Sequence, residues 1–191
     1  MNEQDIEKLI HTIESISVVD CPDVSIAMPM HSQVLPPQPW DQKAFKEKLG
    51  IILPLSITNL WYQTSGLRLF EDVNYGQWGL ILWSANQVIT EQEKRIAQRK
   101  EDFRPGDLII GEFLGDADLI VLRCDAASPD FGNVMIALPL DSREEWYFAA
   151  NSLENFLSQF LAACGNKFWQ VPGLLSAEQG TALEAVIDTL G

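Results

Sequence analysis

The chain has 191 residues, 47% apolar and 21% charged, which excludes a disordered polymer and allows one domain with a sizeable core. Its formal net charge is −14, and residues 105–191 hold 13 acidic side chains against Arg123, Arg143 and Lys167, a local charge of −10. Such a surface repels nucleic acid and anionic lipid and steers basic proteins toward itself, so the expected partner is a basic protein, with no direct nucleic acid and no membrane.

In chain order, Ile6, Leu9, Ile10, Ile13 and Ile16 recur at helical spacing opposite Glu7, Lys8, His11 and Glu14, which predicts an amphipathic helix over residues 3–17. Residues 20–39 carry Pro22, Pro29, Pro36, Pro37 and Pro39, each lacking a backbone donor, so a wrapping loop or linker is expected. The alternation of Val24, Ile26, Met28 and Met30 leaves room there for an edge strand. Asp41 caps a helix running to Leu49 with Gly50 ending it, and a second helix starts near Leu53-Pro54 and runs through Trp61 to Ser65-Gly66.

Residues 67–70 and 79–83 read as strands around a turn at 71–76, and Ser84 caps a helix over 85–102 with charges of both signs. After Arg104-Pro105-Gly106, three apolar runs at 108–113, 119–124 and 134–138 stand at hairpin spacing, followed by a strand at 145–149. Asn151 or Ser152 caps a helix with Leu153, Phe156, Leu157, Phe160 and Leu161 on one stripe, and Ser176 with Gln179 forms a capping box for a last helix through Leu190. The fold class is therefore α+β: an antiparallel or mixed central sheet of about five to six strands with helices packed mainly on one side. The expected organisation is a single domain: residues 1–40 an N-terminal helix plus proline-rich segment, 41–164 the core, and 165–191 a C-terminal helical extension.

Chemistry is sparse. His11 and His31 are the only histidines, both outside the expected sheet, and no nucleophile elbow, zinc-protease pair, phosphate loop or dinucleotide fingerprint is present. Cys21, Cys124 and Cys164 are far apart and form no CxxC pair, so neither a disulfide framework nor a zinc site is expected. Asp116, Asp118 and Asp125 suggest turn carboxylates, without a completed calcium loop. The expectation is no enzyme, no cofactor and no metal. Met1 to Asp5 lacks the basic flank and apolar run of a secretory signal and no run approaches the roughly 18 apolar residues of a spanning helix, so a cytoplasmic location is expected. Of the six tryptophans, Trp78, between Gln77 and Gly79 after a turn, is the candidate exposed anchor.

From about residue 45 to 160, the order of features resembles the SUKH superfamily, which includes fungal cell-wall-synthesis regulators and many bacterial immunity proteins. Leu53-Pro54 followed by Leu60-Trp61-Tyr62 to Gly66 is similar to the family's Leu-Pro, hydrophobic helix and glycine turn. Leu80-Ile81-Leu82-Trp83 with Val88, the Gly115-Asp116 corner with Asp125 ending the next strand, and Phe148-Ala149-Ala150-Asn151-Ser152-Leu153 to Phe156-Leu157 complete the series. Thr64-Ser65-Gly66 stands where Asn-Gly is usual and Leu153 replaces a phenylalanine. In bacteria the resemblance implies an immunity protein that binds and neutralises a cognate toxin, often a nuclease; the alternative is a regulatory or scaffold protein with a cellular partner unrelated to toxins. A nuclease presents a basic groove to phosphate, and fixed carboxylates can occupy it. On that reading Asp116, Asp118, Asp125, Asp130, Glu144 and Glu145, with Trp78, make the partner-binding set.

Overall fold

A computed structural model describes residues 3–15, 18–20 and 29–170. The helices are α1 (Glu3–Ser15), α2 (Gln42–Leu49), α3 (Leu55–Gln63), α4 (Ala85–Gln98) and α5 (Leu153–Ala162); the strands are β1 (Val18–Asp20), β2 (Pro29–Val34), β3 (Leu67–Asp72), β4 (Leu80–Leu82), β5 (Asp107–Phe113), β6 (Leu119–Arg123), β7 (Val134–Ala137) and β8 (Tyr147–Ala150). All eight strands form one antiparallel sheet whose spatial order is the chain order, a meander extended at its start. The α+β architecture is as expected, with more strands than the five or six anticipated.

The register explains which face is covered. The cross-strand row Leu67, Leu82, Gly111, Ile120 and Ile136 is fully buried, as is the row of Leu69, Leu80 and Phe113. The intervening row, Arg68, Ile81, Glu112 and Leu119, is only half-buried. Phe113 meets Phe160 of α5 and Trp169, and Phe160 also meets Phe70, so the large aromatic core sits on the first face beneath α5. Helix α3 contacts both α1 and α5, which extends that layer. On the other face α4 covers the β5 end, where Arg95 pairs with Glu112 at 3.1 Å.

Local chemistry sets the element ends. Asp41 accepts from the N–H groups of Lys43 and Ala44, and Gly50 closes α2 at φ 66°, a left-handed conformation cheap only for glycine. Ser84 and Gln87 form a reciprocal capping box at the start of α4, and Ser152 caps α5. Gly111 lies where β4 approaches so closely that a Cβ would sit 2.1 Å from the Ile81 carbonyl oxygen.

Three expectations change. Residues 29–34 form a strand paired on both sides, with β1 and with β3, because Pro29 takes the first position and no proline follows until Pro36. Helix α4 ends at Gln98, not Asp102, and Arg143–Glu145 is a 3₁₀ turn, so β8 starts at Tyr147. Val24, Ile26 and Met28, Ile16 with Ser17, Cys21 and the helix expected over 176–190 lie outside the described residues.

Candidate partner-binding surface

At the start of β5, Asp107 is fully buried between two arginines. Arg123 Nη1 donates to its Oδ1 at 2.7 Å, Arg143 Nη1 donates to its Oδ2, and the backbone N–H of Arg104 donates to Oδ2 at 2.7 Å. The Arg123 and Arg143 side chains are 5% and 9% exposed. Arg143 also lies over the Trp146 ring at 5.0 Å and donates to the carbonyl of Asp102. Taking three charges from water is costly, and only mutual pairing with complete hydrogen bonding offsets it.

This network has a geometric result. Arg123 reaches Asp130 at 3.1 Å and Asp125 at 3.7 Å, and Arg143 opens the turn that carries Glu144 and Glu145. Asp125 and Asp130 are therefore gathered about Arg123 on the β6–β7 connection, while Glu144 and Glu145 stand on the β7–β8 connection, which leaves the other end of β7 and is tied back to Asp107 by the Arg143 side chain. Asp125 and Asp130 keep 43% and 35% of their side chains exposed, and Glu144 and Glu145 are exposed. Burial works to raise the Asp130 carboxyl, but the Ser128 hydrogen bond and the Arg123 guanidinium outweigh it and hold it below the usual carboxylate range. Glu145 closes a capping box with Ser142, which fixes the turn.

Asp116, Asp118 and Trp78 lie at the opposite end of β5, about 20 Å away over its seven residues. There Lys167 is clamped between Asp116 at 2.5 Å and Asp118 at 2.6 Å, with its ammonium 4.3 Å from the Phe113 ring centre. Asp118 is 2% exposed, so its carboxylate faces inward; Asp116 remains exposed. Trp78 is packed: its ring meets Phe113 edge-on at 5.0 Å and its indole N–H donates to the Gly165 carbonyl. The exposed aromatic of this corner is Tyr75, three residues earlier, in a turn that Asp72 fixes by accepting from the N–H groups of Asn74 and Tyr75. Gly115, at φ 88°, lets the β5–β6 turn pass so close to Gln77 that a Cβ would sit 2.1 Å from its carbonyl oxygen.

The residues that organise both ends, Asp107, Arg123, Arg143 and Lys167, entered the sequence reading only as charges, or not at all. Their signal was a basic residue inside or beside an apolar run, as in Leu119-Ile120-Val121-Leu122-Arg123.

The remaining candidate groups are separate. His11 is exposed on α1, and His31 lies half-buried on β2 opposite Glu71. Cys124 is 3% exposed, and burial pushes its thiol far up, which keeps it protonated and unreactive at neutral pH. Among the described residues no group of three or more His, Cys, Asp or Glu is placed to hold a metal ion, and no helix is long and apolar enough to cross a membrane.

Comparison with curated proteins gives no match. The model of the SMI1 / KNR4 family (SUKH-1) matches residues 36–159, which takes in α2 to α4, β3 to β8 and most of α5. With that match over more than half its length, and with the antiparallel α+β body described above, the chain belongs to the SMI1 / KNR4 family (SUKH-1).

Proposed function

We propose that this chain is a non-catalytic protein-binding domain that neutralises a cognate toxin of basic surface. The observation that carries the reading is the set of outward acids around the Asp107–Arg123–Arg143 network, Asp125 and Asp130 on the β6–β7 connection and Glu144 and Glu145 on the β7–β8 connection. Arg123 offsets part of the charge of Asp125 and Asp130, but the five carboxylates of Asp107, Asp125, Asp130, Glu144 and Glu145 outnumber the two guanidiniums, so the local sum stays negative. A nuclease toxin suits such a field because its catalytic groove must itself be basic. Family membership supports the protein-binding class, and the buried, protonated Cys124 and the separated histidines offer no assembled nucleophile and base.

The test is capture of the partner from the native host with the tagged chain, followed by an assay of the captured protein. The reading expects a basic protein whose toxic activity is lost stoichiometrically on adding the chain. A cellular partner without toxic activity would favour the regulatory alternative and overturn neutralisation. Turnover of a small molecule by the chain alone would overturn the non-catalytic part.

A further inference from the structure

Between residues 40 and 66 the charged side chains are Lys43, Lys46 and Lys48 against Asp41 and Glu47, so this stretch is net positive on a chain of −14. Lys46 and Lys48 lie in the last turn of α2, where a cation complements the helix dipole, but Lys43 lies in the first turn, where it opposes the dipole. Helix stability does not account for it. Its pair with Glu47 is long, 3.8 Å, with both side chains mostly exposed, and Asp41 is engaged as the cap. Lys46 and Lys48 make no ion pair with any described residue.

Beside these lysines the surface is apolar. Leu55 and Tyr62, 74% and 57% exposed, stand seven residues apart on one stripe of α3, opposite buried Ile57, Leu60 and Trp61, and Ile52 is 51% exposed before the helix. Tyr62 is held in place: its hydroxyl donates to Gln42 Oε1 and its ring lies 5.4 Å from that of Trp40. A shallow groove of about 680 Å³ is lined by Trp40, Asp41, Gln42, Lys43, Lys46 and Tyr62, two lysines against one carboxylate already engaged as the helix cap, and a smaller one of about 110 Å³, lined by Phe45, Ile51 and Ile52, shares Gln42 and Lys46 with it. The Trp40 indole N–H is buried with no acceptor among the described residues.

We propose that this α2–α3 face is a second docking surface, and that its occupant is a short acidic amphipathic segment of another protein. Apolar side chains of such a segment cover Ile52, Leu55 and Tyr62, and its carboxylates meet Lys43 and Lys46. The basic partner proposed for the acids of the β6–β7 and β7–β8 connections meets like charge at Lys43 and Lys46, so the two surfaces select different partners.

The probe is a fluorescein-labelled peptide of glutamates with leucines spaced at i, i+3 and i+7, titrated with the full chain and read by anisotropy; a control peptide carries lysines in place of the glutamates. Saturable, salt-sensitive binding of the glutamate peptide is expected, with none of the lysine peptide. Lys43→Glu with Lys46→Glu should weaken it about tenfold or more, and Leu55→Ser with Tyr62→Ala should do the same. All four positions are exposed, and circular dichroism checks that the variants remain folded. No saturable binding, or equal binding of both peptides, would overturn the proposal. A mass that doubles with concentration in light scattering and returns to that of one chain in Leu55→Ser would assign the face to a second copy and overturn it too.

Discussion

Asp118 and Asp116 show how little a carboxylate's identity says about its role. They are two residues apart, yet one is sealed against Lys167 and the other is open to solvent, and the lysine that separates their fates lies 49 and 51 residues away. No local pattern carries such a pairing, which is why the sequence placed both among the outward acids. Removing the lysine leaves a buried charge without a partner, so Lys167→Met should destabilise the protein by about 3–5 kcal/mol in urea unfolding, and Lys167→Met with Asp118→Leu should recover most of that loss. Asp130 makes a different prediction. Its carboxyl in the folded protein titrates below its unfolded value, so its contribution is present above about pH 4 and is lost as pH falls through the folded value. Asp130→Asn should therefore flatten the acid limb of a stability-against-pH curve and leave the shape of the curve near neutrality unchanged. Cys124 should resist thiol reagents in the native protein and react at the rate of global unfolding; labelling at the rate of a free thiol would contradict its burial.

Among the elements, strands with continuous apolar runs were legible, and β3 to β7 lie where the sequence put them. Strand β2 was not, because the prolines around it dominate the local signal while the decisive fact is positional: Pro29 opens the strand and needs no ladder donor. The end of β4 at the Ser84 cap was legible, but what it does to β5 was not. Beyond Trp83 the chain turns into α4, and β5 loses its strand neighbour there; Gln92 takes that place, accepting from the N–H of Ile109 at 2.9 Å and donating to the carbonyl of Asp107 at 2.7 Å. A glutamine in a charged amphipathic helix reads as solvated, and only the fold shows it buried at 4% exposure. Gln92→Leu should leave two backbone groups unpaired and cost about 2–4 kcal/mol, measured as a lower urea midpoint, whereas Gln98→Leu on the exposed end of the same helix should cost little. Trp78 belongs to this scale as well: its position after a turn suggested exposure, but Phe113 of β5 and Gly165 of the turn after α5 hold it, while Tyr75 is the side chain that projects.

For the whole molecule, the order of strands and helices was readable because a meander places sequence neighbours side by side, and that order also carried the family resemblance. The distribution of charge in space was not readable. The sum of −14 conceals a sheet with Asp125 and Asp130 gathered about Arg123 at one end, a lysine clamped at the other, and a lysine-bearing helix off to one side. The electrostatic account concerns the first of these surfaces, and its effect should appear in the rate of encounter more than in the lifetime of the complex. The most direct test is the association rate of the captured partner, by stopped flow over a range of salt, with the wild-type chain and with Asp125→Asn, Glu144→Gln and Glu145→Gln combined. Slower association at low salt with a flatter salt dependence is the expected result; an association rate and salt slope unchanged by the three substitutions would contradict it.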